Sequence, residues 1–155
     1  RYAITGRSLH CDNEKLVNTI MSSSLTRAVA YKMVSDFAKT ELLSGVTTIR
    51  TVGGLGSFDT RLRDEIEAGA KIGPRILASN QGISVPGGHM AGSVAIAAAT
   101  IPDALDHLEK SKEEKVDLIK LMITGGVMDA KEKGVPGELK MSPEMVRAVC
   151  EKAHA

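Results

Sequence analysis

The sequence predicts an α/β fold built on parallel strands. Two observations carry that expectation. Helical and β-branched segments alternate in the order helix, strand, helix, strand, helix, strand, helix, which suits right-handed crossovers between parallel strands. The loops that follow the strands are also the longer, glycine-rich ones, and in parallel α/β architectures that is the ligand-binding side. Three strands make neither a closed barrel nor a comfortable open sheet, and each exposed edge would offer unpaired backbone to another chain. The chain therefore reads as a portion of a larger α/β domain. It starts at Arg1 rather than Met and stops at Ala155, so both ends are expected to be cut.

Residues 1–24 read as loop or short irregular structure, with His10, Cys11, Asp12 and Asn13 followed by Ser22-Ser23-Ser24. From Leu25, the apolar positions Ala30, Met33, Val34, Phe37, Ala38 and Leu42 follow helical spacing, and Gly45 provides the stop. Val46–Val52 is β-branched and predicts a strand. Gly53-Gly54-Leu55-Gly56 forces a turn, and Phe58–Ala70 resumes helix with Leu62, Ile66 and Ala70 on one face. Gly73-Pro74 ends that helix before a short strand, Arg75–Ser79. Asn80 through Gly92 is expected to be a long loop, and 93–99 suits either strand or helix. Thr100 with Asp103 forms a capping pair for a helix at about 102–112. The third strand, Val116–Thr124, leads into a glycine-rich loop, and Ser142-Pro143-Glu144 opens a last helix with the stripe Met145, Val146, Val149, Cys150 and Ala153.

The bulk numbers narrow the function classes. A formal net charge of +1 gives no long-range field to recruit nucleic acid or acidic lipid. Aromatic content of 3% argues against base-stacking platforms and aromatic sugar grooves. The two cysteines, Cys11 and Cys150, form no metal or disulfide pattern, which suits a reducing, cytoplasmic compartment. No apolar stretch approaches the roughly 20 residues of a membrane span.

Chemistry concentrates on Lys120. In Leu118-Ile119-Lys120-Leu121-Met122-Ile123, strand alternation places Leu118, Lys120, Met122 and Thr124 on one face. Ile119, Leu121 and Ile123 take the other face and suit packing under helices. An ammonium pointing into the sheet's enclosed side must be paired, deprotonated or chemically converted. The bland alternative is a snorkelling lysine or one paired to Asp117 or Glu138.

Several motifs occur together and in order: Ser44–Arg50 with Val52-Gly53-Gly54, Arg63-Asp64 through Gly73–Ser79, Pro86-Gly87-Gly88-His89, and Asp117–Lys120 with Thr124-Gly125-Gly126. The set resembles the amidohydrolase superfamily, specifically the imidazolonepropionase-related branch that contains Xaa-Pro dipeptidase (prolidase)-like enzymes and arginine carboxypeptidases. The resemblance covers about residues 25–155. It implies a partial TIM (β/α)₈ barrel, with the three strands corresponding to about strands two to four. The whole chain, 1–155, would be a fragment of that metal-dependent hydrolase barrel, with 1–24 irregular and 25–155 forming β/α units.

The resemblance also implies an activity: hydrolysis of an amide or peptide C–N bond by a metal-activated water. Lys120 matches the family's carboxylated lysine, a carbamate formed with CO₂ that bridges two divalent metals, usually zinc. His89 matches a histidine near the substrate carbonyl. The implied partners are a small-molecule or dipeptide substrate and either the remainder of the barrel or further copies of the chain. Departures are plain. The first-strand H-x-H pair has no counterpart beyond Leu9-His10-Cys11, Thr51 stands where relatives commonly have Asp, and the later histidine and aspartate ligands fall beyond the chain. The fragment alone is therefore expected to be inactive. His10, His107 and His154 read as ordinary residues. An alternative function, a non-catalytic module binding a phosphorylated small molecule at the Gly53–Gly56 turn, is weakened by Asp59, which would repel phosphate.

Overall fold

The computed structural model describes residues 13–126 and 137–155. His10 and Cys11, and most of the glycine-rich loop after Lys120, lie outside them. Five helices and four short strands are assigned among the described residues: α1 (Asn13–Met21), α2 (Ser24–Leu43), β1 (Thr48–Arg50), α3 (Phe58–Glu67), β2 (Arg75–Leu77), β3 (Gly82–Ser84), β4 (Ala95–Ala97), α4 (Ile101–Glu113) and α5 (Pro143–His154).

Local chemistry explains the helix boundaries. Ser23 caps α2 by accepting from the Thr26 N–H. At the other end Gly45, with φ of 100°, donates to Leu42 O while Val46 N–H donates to Glu41 O. That pair of bonds is a Schellman stop, which glycine permits because it has no Cβ to clash in the left-handed region. Thr100 and Asp103 form the expected capping box on α4, and Ser142 caps α5 with Pro143 in its first turn.

Helix α1 differs from the irregular segment expected before residue 25. Leu16, Val17, Ile20 and Met21 supply a short apolar stripe, and the three serines mark a break between two helices rather than a long loop. The expected loop from Asn80 to Gly92 likewise contains a strand. Ile83 is fully buried, and together with its two neighbours it pairs with residues 95–97.

Both strand pairs are parallel. Ile49 aligns with Ile76 in β1–β2, and Ile83 aligns with Ile96 in β3–β4. Residues 117–122 run along the opposite edge of β2 and β3. Asp117 N–H donates to Ala78 O at 2.8 Å, Ile83 N–H to Lys120 O at 2.8 Å, and Met122 N–H to Ile83 O at 2.9 Å. The Lys120 segment is therefore paired and parallel, but it is not a continuous strand. Asn80 interrupts the edge it reads: its φ of 53° kinks the chain between β2 and β3. Asparagine tolerates that conformation better than most residues. The buried Asn80 side chain also holds the kink in place. It accepts from Thr60 N–H and donates to Thr60 Oγ1 and Glu114 Oε2.

Two apolar cores flank this layer. Ile83, Ala98, Ala104, Leu108, Met141, Met145 and Val149 form one, and Ile119, Leu121 and Ile123 pack against it. The aliphatic face of the Lys120 segment thus lies under α4 and α5, as alternation predicts. The second core joins Tyr31 and Ala38 of α2 to Phe58 and Leu62 of α3 and to Ile76 and Ala78. Burying a Leu or Ile side chain contributes about 1.5–3 kcal/mol, so each core is substantial for its size.

Candidate functional site

The register that places Ile119, Leu121 and Ile123 under the helices turns Lys120 to the other side. Ile83 is bridged to Leu121 in parallel, so Gly82 stands beside Lys120 and Ser84 beside Met122 on that face. Gly82 has no side chain to obstruct the lysine stem. A Cβ there would lie 3.2 Å from both Lys120 Cγ and Lys120 O, and 3.4 Å from Met122 Cε. Met122 is buried and reaches across to Gly53, where a Cβ would be 3.1 Å from its Cε. Lys120, Met122, Gly82 and Gly53 therefore share one lining.

Lys120 is half-buried, and its Nζ has no hydrogen bond or ion pair among the described residues. The two carboxylates proposed as bland partners are engaged elsewhere. Asp117 Oδ2 lies 2.8 Å from Arg63 Nη1 and accepts from Ala78 N–H, and Glu138 pairs with Lys140 at 2.9 Å. Burial works against ionisation of Asp117. The Ala78 N–H and the Arg63 guanidinium outweigh it and hold the carboxyl below its ordinary range. Arg63 also donates to Lys115 O, tying α3 to the start of the Lys120 segment.

His89 sits in the loop leaving β3, half-buried, with Nδ1 sealed from solvent and without a hydrogen-bond partner. The loop turns through Gly87 at φ 71° and Met90 at φ 54°, and the Met90 carbonyl accepts from both N–H and Oγ of Ser93. A non-glycine residue in the left-handed region beside a candidate site is a recognised mark of functional loops. No hydrogen bond links His89 to Lys120 among the described residues. Ser84 has a fully buried hydroxyl that also lacks a partner. Sequence reading passed over it; the available signal was a serine opening the stretch that ends in Gly87-Gly88-His89.

Other candidates resolve into structure. His107 Nε2 lies 3.1 Å from Gln81 O and braces the β2–β3 connection. At the Gly53–Gly56 turn, Gly53 N–H donates to Ser79 Oγ and Gly54 N–H to Asn80 O. The Asp59 carboxylate lies against Gly54, where a Cβ would meet both oxygens within 2.7 Å. Two of the turn's amides are thus already committed and an acid occupies the space, which leaves no cradle for phosphate. Burial pushes the Asp59 carboxyl above its ordinary value, only partly offset by Thr51 and the Asn80 backbone. A groove of about 580 Å³ between α4, residues 116–121 and α5 is lined by Leu108, Ile119, Leu121, Val149 and Cys150, on the side opposite Lys120.

Among the described residues no group of three His, Cys, Asp or Glu side chains could hold a metal ion. The described residues thus do not form a metal centre by themselves.

Comparison with solved structures decides the family. A candidate prolidase from Bifidobacterium longum is 42% identical across 80% of this chain, with a TM-score of 0.67. A Xaa-Pro dipeptidase with methionine in its active site is 27% identical across 85% of the chain, with a TM-score of 0.69. The chain belongs to the amidohydrolase superfamily, on its prolidase-like branch. The fold alone is matched further by A. niger ochratoxinase, at 17% identity over 96% of the chain and a TM-score of 0.76. This amidohydrolase segment spans 29%, 34% and 38% of those three proteins respectively. No protein-family model matches the chain, and no curated protein does.

Proposed function

We propose that this chain is part of a (β/α)₈ barrel of a metal-dependent amidohydrolase that cleaves an amide or peptide C–N bond in a dipeptide-like substrate. The 75–84 stretch, the Lys120 segment and β1 are adjacent barrel strands in this reading, and their C-terminal ends form the mouth. The observation that carries it is Lys120: a half-buried amine on the lining face, clear of every described carboxylate and facing a glycine. In its neutral form the Nζ lone pair attacks the carbon of CO₂, an N–C bond forms, and a proton leaves to solvent. The product is an anionic carbamate whose oxygens suit divalent cations. A bound divalent metal, zinc in the first instance, would supply a water acidic enough to attack a carbonyl. His89 polarises or contacts that carbonyl from the β3 loop. The remaining metal ligands come from the rest of the barrel or from another copy, so the fragment alone is expected to be inactive. A cytoplasmic location belongs to the same proposal, and no described helix is long and apolar enough to cross a membrane.

The test is carbon-13 NMR of the whole barrel protein that contains this segment, with labelled bicarbonate and zinc. A carbamate resonance that disappears in Lys120→Ala, together with metal retention lost in that variant, is the expected result. An unmodified Lys120 and identical metal retention in both proteins would refute the assignment.

A further inference from the structure

We propose that Ser84 is the positioning residue for His89, acting on Nδ1 so that Nε2 carries the proton offered to the substrate carbonyl. This rests on the reading of His89 given above. Among the described residues that are not exposed, only three side-chain polar atoms are sealed from solvent without a hydrogen-bond partner: Asp59 Oδ2, Ser84 Oγ and His89 Nδ1. Two of them belong to one short stretch, 84–89. Buried polar atoms left unpaired cost about 1–3 kcal/mol each, so two orphans in one turn call for a shared explanation.

The geometry supplies it. Ser84 is fully buried, and its backbone is fixed by the Ala98 N–H donating to Ser84 O at 2.8 Å. The chain then folds back through Gly88, whose N–H donates to Val85 O at 2.8 Å. A Cβ on Gly88 would stand 2.5 Å from Ser84 Oγ, so this glycine lets the loop close directly over the hydroxyl. His89 follows with its Nδ1 turned inward. The chemistry of the two atoms is complementary: a hydroxyl can donate, and the Nδ1 of a neutral imidazole protonated at Nε2 can only accept. The two are not bonded directly in this structure, and a single buried water bridging the Ser84 hydroxyl to Nδ1 satisfies both atoms. It also fixes the tautomer, because a ring accepting at Nδ1 must donate from Nε2. Polarising a carbonyl requires that donor.

The readout is nitrogen-15 NMR of the imidazole nitrogens, assigned to His89 with a His89→Gln control, which needs neither metal nor turnover. The wild-type ring is expected to show the Nε2–H tautomer almost alone. Ser84→Ala is expected to shift His89 toward a mixture in which the Nδ1–H form is populated at least several-fold more than in wild type. Ser84→Cys fills the same space with a much weaker donor and should behave like Ser84→Ala, which separates the hydrogen bond from packing. Amide spectra that stay native-like in both variants establish that the fold survives. A His89 tautomer ratio unchanged in both folded variants would overturn the assignment of Ser84, whatever the carbamate experiment shows at Lys120. A shifted ratio with no carbamate would instead leave Ser84 as the partner of His89 and remove the hydrolytic reading.

Discussion

Asp117 fixes the height at which Lys120 sits, and removing its carboxylate should be measurable as a pH-dependent loss of stability. Its Oδ2 accepts two hydrogen bonds, from Ala78 N–H at 2.8 Å and from Arg63 Nη1 at 2.8 Å, while its own N–H donates to Ala78 O. Substitution to Ala leaves the Ala78 amide and the Arg63 guanidinium without that acceptor. Hydrogen bonds to charged groups contribute about 1.5–3 kcal/mol. The Asp117 side chain is 34% exposed while that of Arg63 is 10% exposed, so solvent screening reduces the ion-pair share. The expected cost of Asp117→Ala is about 2–3 kcal/mol. Asp117→Asn keeps an acceptor for Ala78 and loses only the charge, so about 1–2 kcal/mol is expected. The folded-state pKa is depressed despite burial, because Ala78 N–H, Arg63 and Arg75 favour the carboxylate. Such a group contributes stability that is present above the unfolded-state value, about 3.9, and is lost as pH falls through the folded-state value. Urea unfolding of wild type and Asp117→Asn at pH 7 and again near pH 3 reads the difference. The gap between the two proteins should narrow markedly in acid. A gap equal at both pH values, with unchanged urea dependence, would refute the claim that the ionised carboxylate holds this junction.

Two further outcomes follow from the same layer. Asn80→Ala removes three side-chain hydrogen bonds, to Thr60 N–H, Thr60 Oγ1 and Glu114 Oε2, at a residue with φ of 53°, and should cost about 2–4 kcal/mol in urea unfolding. Gly82→Val places branched carbon where a Cβ alone would be 3.2 Å from the Lys120 stem; a loss of about 1–3 kcal/mol and a weakened carbamate signal are expected, the latter read by the same bicarbonate NMR.

Features with local causes were legible in the sequence. The Thr100–Asp103 capping box, the Ser142-Pro143 helix start and the Gly45 stop are each determined by a few neighbouring residues, and all three occur where spacing predicts them. The two-faced character of the Lys120 segment was legible for the same reason, since alternation alone assigns Ile119, Leu121 and Ile123 to the helix side. What sequence reading missed depends on contacts between distant segments. Gly82-Ile83-Ser84 is too short to announce a strand, and becomes one because β4 and residues 120–122 supply hydrogen bonds on its two edges. Arg63 reads as one charge among many on an amphipathic helix, yet it reaches Lys115 O and Asp117, more than fifty positions away in the chain. Ser84 was invisible for a related reason: a buried hydroxyl without a partner is recognisable only once the loop that covers it is known.

The condition of Lys120 joins these parts. A lysine stabilised as an ion pair needs a carboxylate within reach, and the nearest candidates by sequence are held by other cations: Asp117 by Arg63 and Glu138 by Lys140. Each of those contacts is at hydrogen-bond distance, and neither acid pairs with Lys120 among the described residues. The Lys120 stem passes closely over Gly82 on a half-buried face it shares with Met122. Among the described residues Lys120 therefore has no ion-pair partner, and that is the feature on which the carbamate proposal rests. The Asp117 clamp and the Asn80 kink set the register that creates this setting, which is why substitutions that leave Lys120 itself untouched should still change its chemistry.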